Sequence, residues 1–162
     1  MQSTESCKDL KMEQKLTEWE SRLNMAQAGH YIVSERYLQL NLLFSVPLVF
    51  LSVVVGSFLF FQSAPDEATS VLLKGAAIAV AILSPLQTLI RPSEKAEMHR
   101  VKASRYGCLK RKIEFFSLNN DRGAEWASFS KEIMYEWNSV AEDSPLTPDS
   151  ARKKIKKLAE RG

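Results

Sequence analysis

From Tyr37 to Pro65 the chain carries no charged side chain, a run of 29 positions whose centre, Leu38 to Phe61, reads LQLNLLFSVPLVFLSVVVGSFLFF. As a helix, that centre is roughly 36 Å long at about 1.5 Å per residue, enough to cross a hydrocarbon layer of about 30 Å with some tilt. A second apolar run, VLLKGAAIAVAILSPLQTLI from Val71 to Ile90, holds a single charge, Lys74, near its start. The two runs predict membrane helices over about 38–61 and 71–91. The formal charge of the whole 162-residue chain is only +3, so bulk composition hides this segregation. The first run follows 36 other residues and is longer than a signal peptide needs, so it reads as a retained span.

Charge decides the orientation. The intervening QSAPDEATS, Gln62 to Ser70, holds Asp66 and Glu67 but no Lys or Arg, whereas Arg91, Lys95, Arg100, Lys102 and Arg105 follow the second run and Arg22 and Arg36 precede the first. Basic residues favour the cytoplasmic face, which predicts a cell-membrane protein with two passes, both termini cytoplasmic and the short acidic linker outside. A nine-residue linker makes the spans antiparallel neighbours, and Lys74 can snorkel to the headgroups. Cys7 and Cys108 imply no disulfide framework, and two thiols make no zinc site.

The flanking segments are helical by periodicity. Leu16, Trp19, Leu23, Ala26, His30, Val33, Tyr37 and Leu40 alternate three and four apart, which is a heptad seam. Ser6 with Asp9 resembles a capping box, so one helix is expected from about Cys7 to Phe61, with Pro47 able to bend it. After Pro92, a helix to about Leu118 sets Ala96, His99, Ala103, Tyr106, Leu109, Ile113 and Phe116 on one stripe. Asn119 to Gly123 make a turn, and the next helix carries Trp126, Phe129, Ile133, Trp137 and Val140. Asp143 to Thr147 read as a linker to a basic helix starting at Thr147-Pro148-Asp149, whose apolar face is Ala151, Ile155 and Leu158; this tail suits either anionic lipid or solvent. The fold class is therefore all-α, a two-transmembrane helical hairpin with long amphipathic cytoplasmic helices. The N-terminal arm and the post-membrane helix are expected to pair as an antiparallel coiled coil.

No arrangement of side chains points to catalysis, so an enzyme is not expected: there is no phosphate-binding glycine loop and no Ser, His and Asp at nucleophile spacing. Neither a cofactor, a metal nor a nucleic-acid partner is expected. His30 and His99 lie at similar depth below the membrane face, each on the apolar stripe of its helix. Such a pair suits pH sensing, metal binding together with Glu35 or Glu97, or plain packing against Tyr106 or Tyr31. Inside the spans, Asn41, Ser45, Ser52 and Gly56 share one face of the first helix, and Lys74, Ala77, Ala81, Ser84, Thr88 and Arg91 one face of the second. Small faces allow close helix approach and polar ones suit a water-filled path; the first face suits either, whereas the second, mostly alanine, is expected to pack.

Taken together, these features resemble the SLATT superfamily, the SMODS- and SLOG-associating two-transmembrane effector domains. The residues that carry the resemblance are the run Ala28-Gly29-His30-Tyr31 leading to Tyr37, then Asn41 and Pro47, and the His99-x-x-x-Ala103-x-x-Tyr106 pattern. It covers a domain over 7–142 and leaves 143–162 as linker and basic amphipathic tail. The resemblance implies a homo-oligomeric pore- or channel-forming effector of a bacterial anti-phage or conflict system, beside a cytoplasmic sensor or an enzyme that makes a nucleotide signal. The alternative is a non-conducting scaffold that presents its cytoplasmic helices to a partner. Two helices cannot enclose a pore alone, so conduction requires a ring of copies.

Overall fold

The computed structural model describes residues 2–61, 66–119 and 122–159, all helix or short connection. Five helices follow in order: α1 Gln2–Phe61, α2 Glu67–Ile90, α3 Pro92–Ser117, α4 Arg122–Glu142 and α5 Asp149–Ala159. No strand occurs among the described residues. Residues 62–65 of the acidic linker, residues 120–121 of the expected turn and the side chain of Leu158 lie outside the description. Two boundaries move relative to the sequence reading. Helix α1 begins at Gln2 rather than near Cys7, which places Ser6 within the helix and not at its start. Helix α2 begins at Glu67, absorbing four linker residues behind an extended N-cap at Asp66. Nothing between Gln2 and Cys7 or between Glu67 and Ser70 breaks a helix, and an acidic residue in the first turn of α2 is favoured there by the helix dipole.

The chain forms two compact units, residues 1–34 with 97–162, and residues 35–96. In the first, α1, α3 and α4 contribute a common core: Met12, Leu16 and Leu23 from α1, Leu109, Ile113 and Phe116 from α3, Ile133 and Val140 from α4. Every one of these except Met12 lies on a stripe expected from periodicity. Aromatic rings close one end. Phe116 and Phe129 stack at 3.8 Å, and Trp19 lies over Trp126 at 5.5 Å. Such pairs contribute about 0.5–1.5 kcal/mol each beyond area burial. Lys112 joins α3 to Glu132 and Glu136 of α4 at the exposed edge, where ion pairs contribute about 0–1 kcal/mol. At Gly107 of α3 a Cβ would stand 2.6 Å from the side-chain amide nitrogen of Gln27 on α1.

Helix α5 also belongs to this unit. Ala151 is fully buried, and Ile155 is half-buried beside Gly29, where a Cβ would lie 3.2 Å from Ile155 Cδ1. Part of the tail's apolar face is thus taken up by the body of the unit, while Lys153, Lys154, Lys156 and Lys157 stay exposed.

The second unit is built differently. It holds the apolar parts of α1 and α2, both long and apolar enough to cross a membrane, and α2 has no buried residue. Phe50 is 68% and Leu89 81% exposed. A soluble core helix would have these side chains covered. Helix α2 ends at Ile90 and is capped by Arg91, which adopts the left-handed conformation (φ 47°, ψ 54°) and donates its N–H to Gln87 O at 3.0 Å. Pro92 then opens α3, where its missing N–H is no loss.

Candidate functional site

Two sets of polar residues stood out in the sequence, and the structure treats them differently. The set outside the apolar segments is brought together. On α1, His30 continues the seam through Ala26 and Val33; on α3, His99 precedes the fully buried Ala103 and then Tyr106. The helices face each other along those stripes, so both imidazoles become interior groups, 3% and 5% exposed. His30 Nδ1 lies 2.9 Å from His99 Nδ1, and the face of Tyr106 stacks on His30 at 5.5 Å. Tyr31 is substantially exposed, so Tyr106 is the packing partner. Two nitrogens at that distance need one proton between them. One ring is therefore an Nδ1–H donor and the other an acceptor, and exchanging these roles requires both rings to change tautomer.

Electrostatics keeps the pair neutral. Burial strips water from an imidazolium at His30, and the neighbouring His99 and Lys102 add repulsion, pushing its pKa from 6.5 down to about 4. Burial lowers His99 as well. Lys102 is itself largely sheltered, its side chain 12% exposed, with Asp143 Oδ2 at 3.8 Å. Among the described residues no group of three His, Cys, Asp or Glu side chains is placed to hold a metal. Glu97, one of the two carboxylates considered as a third ligand, is engaged by Arg100 at 2.7 Å.

A cavity of about 700 Å³ opens beside the pair, entirely within the first unit. His30 and Tyr106 form part of its wall, α5 another part through Ile155 and Lys156, and the 144–147 connection a third. Ser144 donates to Val140 O at 2.6 Å and stands 3.4 Å from the Tyr106 hydroxyl. Sequence reading missed this cavity, because its walls come from segments more than a hundred residues apart. Tyr37, grouped with the histidines by motif, falls in the other unit, where Lys95 Nζ lies 5.8 Å from its ring centre.

The set within the apolar segments is divided. Ser45 accepts a hydrogen bond from Gln87 Nε2 at 2.7 Å, a partner that sequence reading did not single out. Asn41 is half-buried, whereas Ser52 and Gly56 are exposed. At about 100° per residue these four positions span only roughly 60° of arc, and Ser52 falls between Asn41 and Ser45 in angle, so position along the helix rather than face separates the exposed pair from the half-buried one. On α2 the half-buried positions are Thr69, Ser70, Leu73, Ala76, Ala79, Val80, Leu83, Gln87 and Ile90, while Lys74, Ala77, Ala81, Ser84 and Thr88 are exposed. The polar and small stripe therefore lies outward, on the same uncovered side as large apolar residues such as Leu72, Ile78 and Ile82. Its hydroxyls are not idle: Thr88 donates to Ser84 O at 3.1 Å, and on α1 Ser52 donates to Leu48 O at 2.7 Å.

Comparison with known proteins adds no relative: no family model, no curated protein and no solved structure matches this chain.

Proposed function

We propose that this chain is a two-pass membrane protein, a helical hairpin with both termini cytoplasmic, that works without catalysis as a homo-oligomeric pore-forming effector. One observation carries the reading: α1 and α2 leave their apolar surface uncovered, yet a polar and small stripe runs along the same uncovered side of α2. A bilayer accounts for the apolar surface. In lipid, Lys74, Ser84 and Thr88 would be poorly placed unless they meet another protein surface or water. A closed ring of copies supplies both, and a ring is the simplest arrangement in which such a stripe lines a path. The resemblance to the SLATT superfamily supports an effector role in a bacterial conflict system, alongside a cytoplasmic sensor or a partner that makes a nucleotide signal.

A non-conducting scaffold is the second reading, and one detail favours it. The hydroxyls of Ser52, Ser57 and Thr88 are satisfied by carbonyls of their own helices, so they do not require water. The readings separate on purified protein reconstituted in liposomes. The pore reading expects ion flux, with thiol reagents reacting at cysteines placed at Ser52, Ala81 and Ser84 but not at Leu43 or Ile82. Assembled protein that passes no ions, and reacts at none of the five positions, would establish the scaffold instead. Water-soluble labelling of a cysteine at Thr69 from outside the cell, with a reporter at Gly162 inside, checks the orientation; an external Gly162 would end the two-pass reading.

A further inference from the structure

We propose that the cavity beside His30 is a binding site for a small amphipathic anion, an apolar body of arylalkyl size bearing a single carboxylate. The site lies wholly in the unit formed by residues 1–34 and 97–162, so the inference stands apart from whether the membrane segments conduct. At about 700 Å³ the cavity falls within the range of small-molecule sites, roughly 300–1,000 Å³. Met25, Ala26, Pro145, Leu146 and Ile155 give it apolar walls. Its polar contributors are His30, Tyr106, Ser144, Thr147 and Lys156, and no carboxylate is among its described lining residues.

That inventory selects the head group. Lys156 offers an ammonium at an exposed position of α5, and largely buried Lys102, 3.8 Å from the exposed Asp143 carboxylate, lies close enough to His30 to add positive potential there. A cavity walled by apolar groups concentrates such a field, so an anion is favoured and a cation is repelled. The His pair adds a donor that can be switched. His30 is the member that lines the cavity, and its Nδ1 is committed to His99. When His99 supplies the shared proton, the other nitrogen of His30 carries N–H and can donate to a carboxylate oxygen. The Tyr106 hydroxyl, held by Ser144 at a long 3.4 Å, can exchange that contact for a ligand oxygen.

The walls also say what occupancy would do. A ligand held between His30 on α1, Tyr106 on α3 and Lys156 on α5 ties the tail helix to the body where Gly29 leaves room for Ile155. Binding that requires α5 to be docked stabilises the docked state by mass action.

The test uses the full chain in lipid nanodiscs, with empty nanodiscs as the blank and 4-phenylbutyrate as the probe, read by isothermal titration and ligand-observed NMR. Saturable binding is expected, with 4-phenylbutan-1-ol bound at least about tenfold more weakly, a difference of about 1.4 kcal/mol. Lys156→Glu, at an exposed position, is expected to weaken the acid by at least about tenfold as well. Met25→Trp, which narrows the cavity from a half-open wall, is expected to abolish saturable binding while the helical melting curve stays in place. Equal affinity for acid and alcohol, an unchanged affinity in Lys156→Glu, or no saturable binding at low-millimolar probe would overturn the proposal. The acid-to-alcohol comparison needs no substitution, so it decides even if a variant folds poorly.

Discussion

Replacing Leu23 by Asp is expected to abolish the cooperative melting of the unit built from α1, α3, α4 and α5, whereas Ser21→Asp two residues away should leave it nearly unchanged. Leu23 is 0% exposed and sits in the cluster with Leu109, Ile113 and Ile133. Truncation to Ala would already remove about 2–5 kcal/mol through lost burial and the cavity left behind. A carboxylate adds the penalty of a buried charge with no partner, so the total exceeds about 5 kcal/mol and competes with the whole stability of an ordinary domain, about 5–15 kcal/mol. Ser21 is exposed on the opposite side of the same helix, and substitutions there usually fall within about 0.5 kcal/mol. Thermal unfolding followed by circular dichroism, together with limited proteolysis, checks the pair. Equal behaviour of the two variants would mean that the α1 seam is not part of the core.

Acid should act on the same unit through His30 and His99. Both rings titrate lower in the folded chain than in the unfolded one, where an imidazole has its ordinary value of 6.5; for His30 the folded value is about 4. Between those values the unfolded chain binds more protons than the folded one, so folding stability rises with pH. The contribution is therefore complete above about pH 6.5 and is lost progressively as pH falls toward 4. For His30 alone it amounts to about 2–3 kcal/mol, at about 1.4 kcal/mol per unit of displacement with allowance for partial solvent access. Denaturant midpoints measured from pH 7.5 to 4 should follow that curve. The double variant His30→Gln with His99→Gln should flatten it above pH 4.5, because the exposed Glu18 and Glu97 carboxylates, held below their ordinary range by Lys15 and Arg100, act only at lower pH. An unchanged slope in the double variant would assign the acid sensitivity elsewhere.

Periodicity and the distribution of charge were enough to locate the helices and to say which faces of α1, α3 and α4 would be covered in the first unit, though not on α2, where the small stripe expected to pack is exposed. Leu16, Leu23, His30 and Val33 on α1, and Ala96 through Phe116 on α3, recur at the spacing of one helical face, and all are buried. That legibility has a simple cause: burial on a helix is set by angle around the axis, and sequence spacing reports angle directly. The same spacing is silent on axial register and on which partner arrives, and those are what tertiary structure decided. It set His30 against His99 across 69 residues, paired Ser45 with Gln87, and left Ser52 and Gly56 outside the contact that their neighbour makes. It also docked α5, whose basic composition suited lipid or solvent equally well, because Gly29 offers a notch that Ile155 fills and Ala151 is small enough to be buried completely. The cavity beside His30 is the product of that docking, and no local pattern could announce it, since its walls meet only when α1, α3 and the tail have packed.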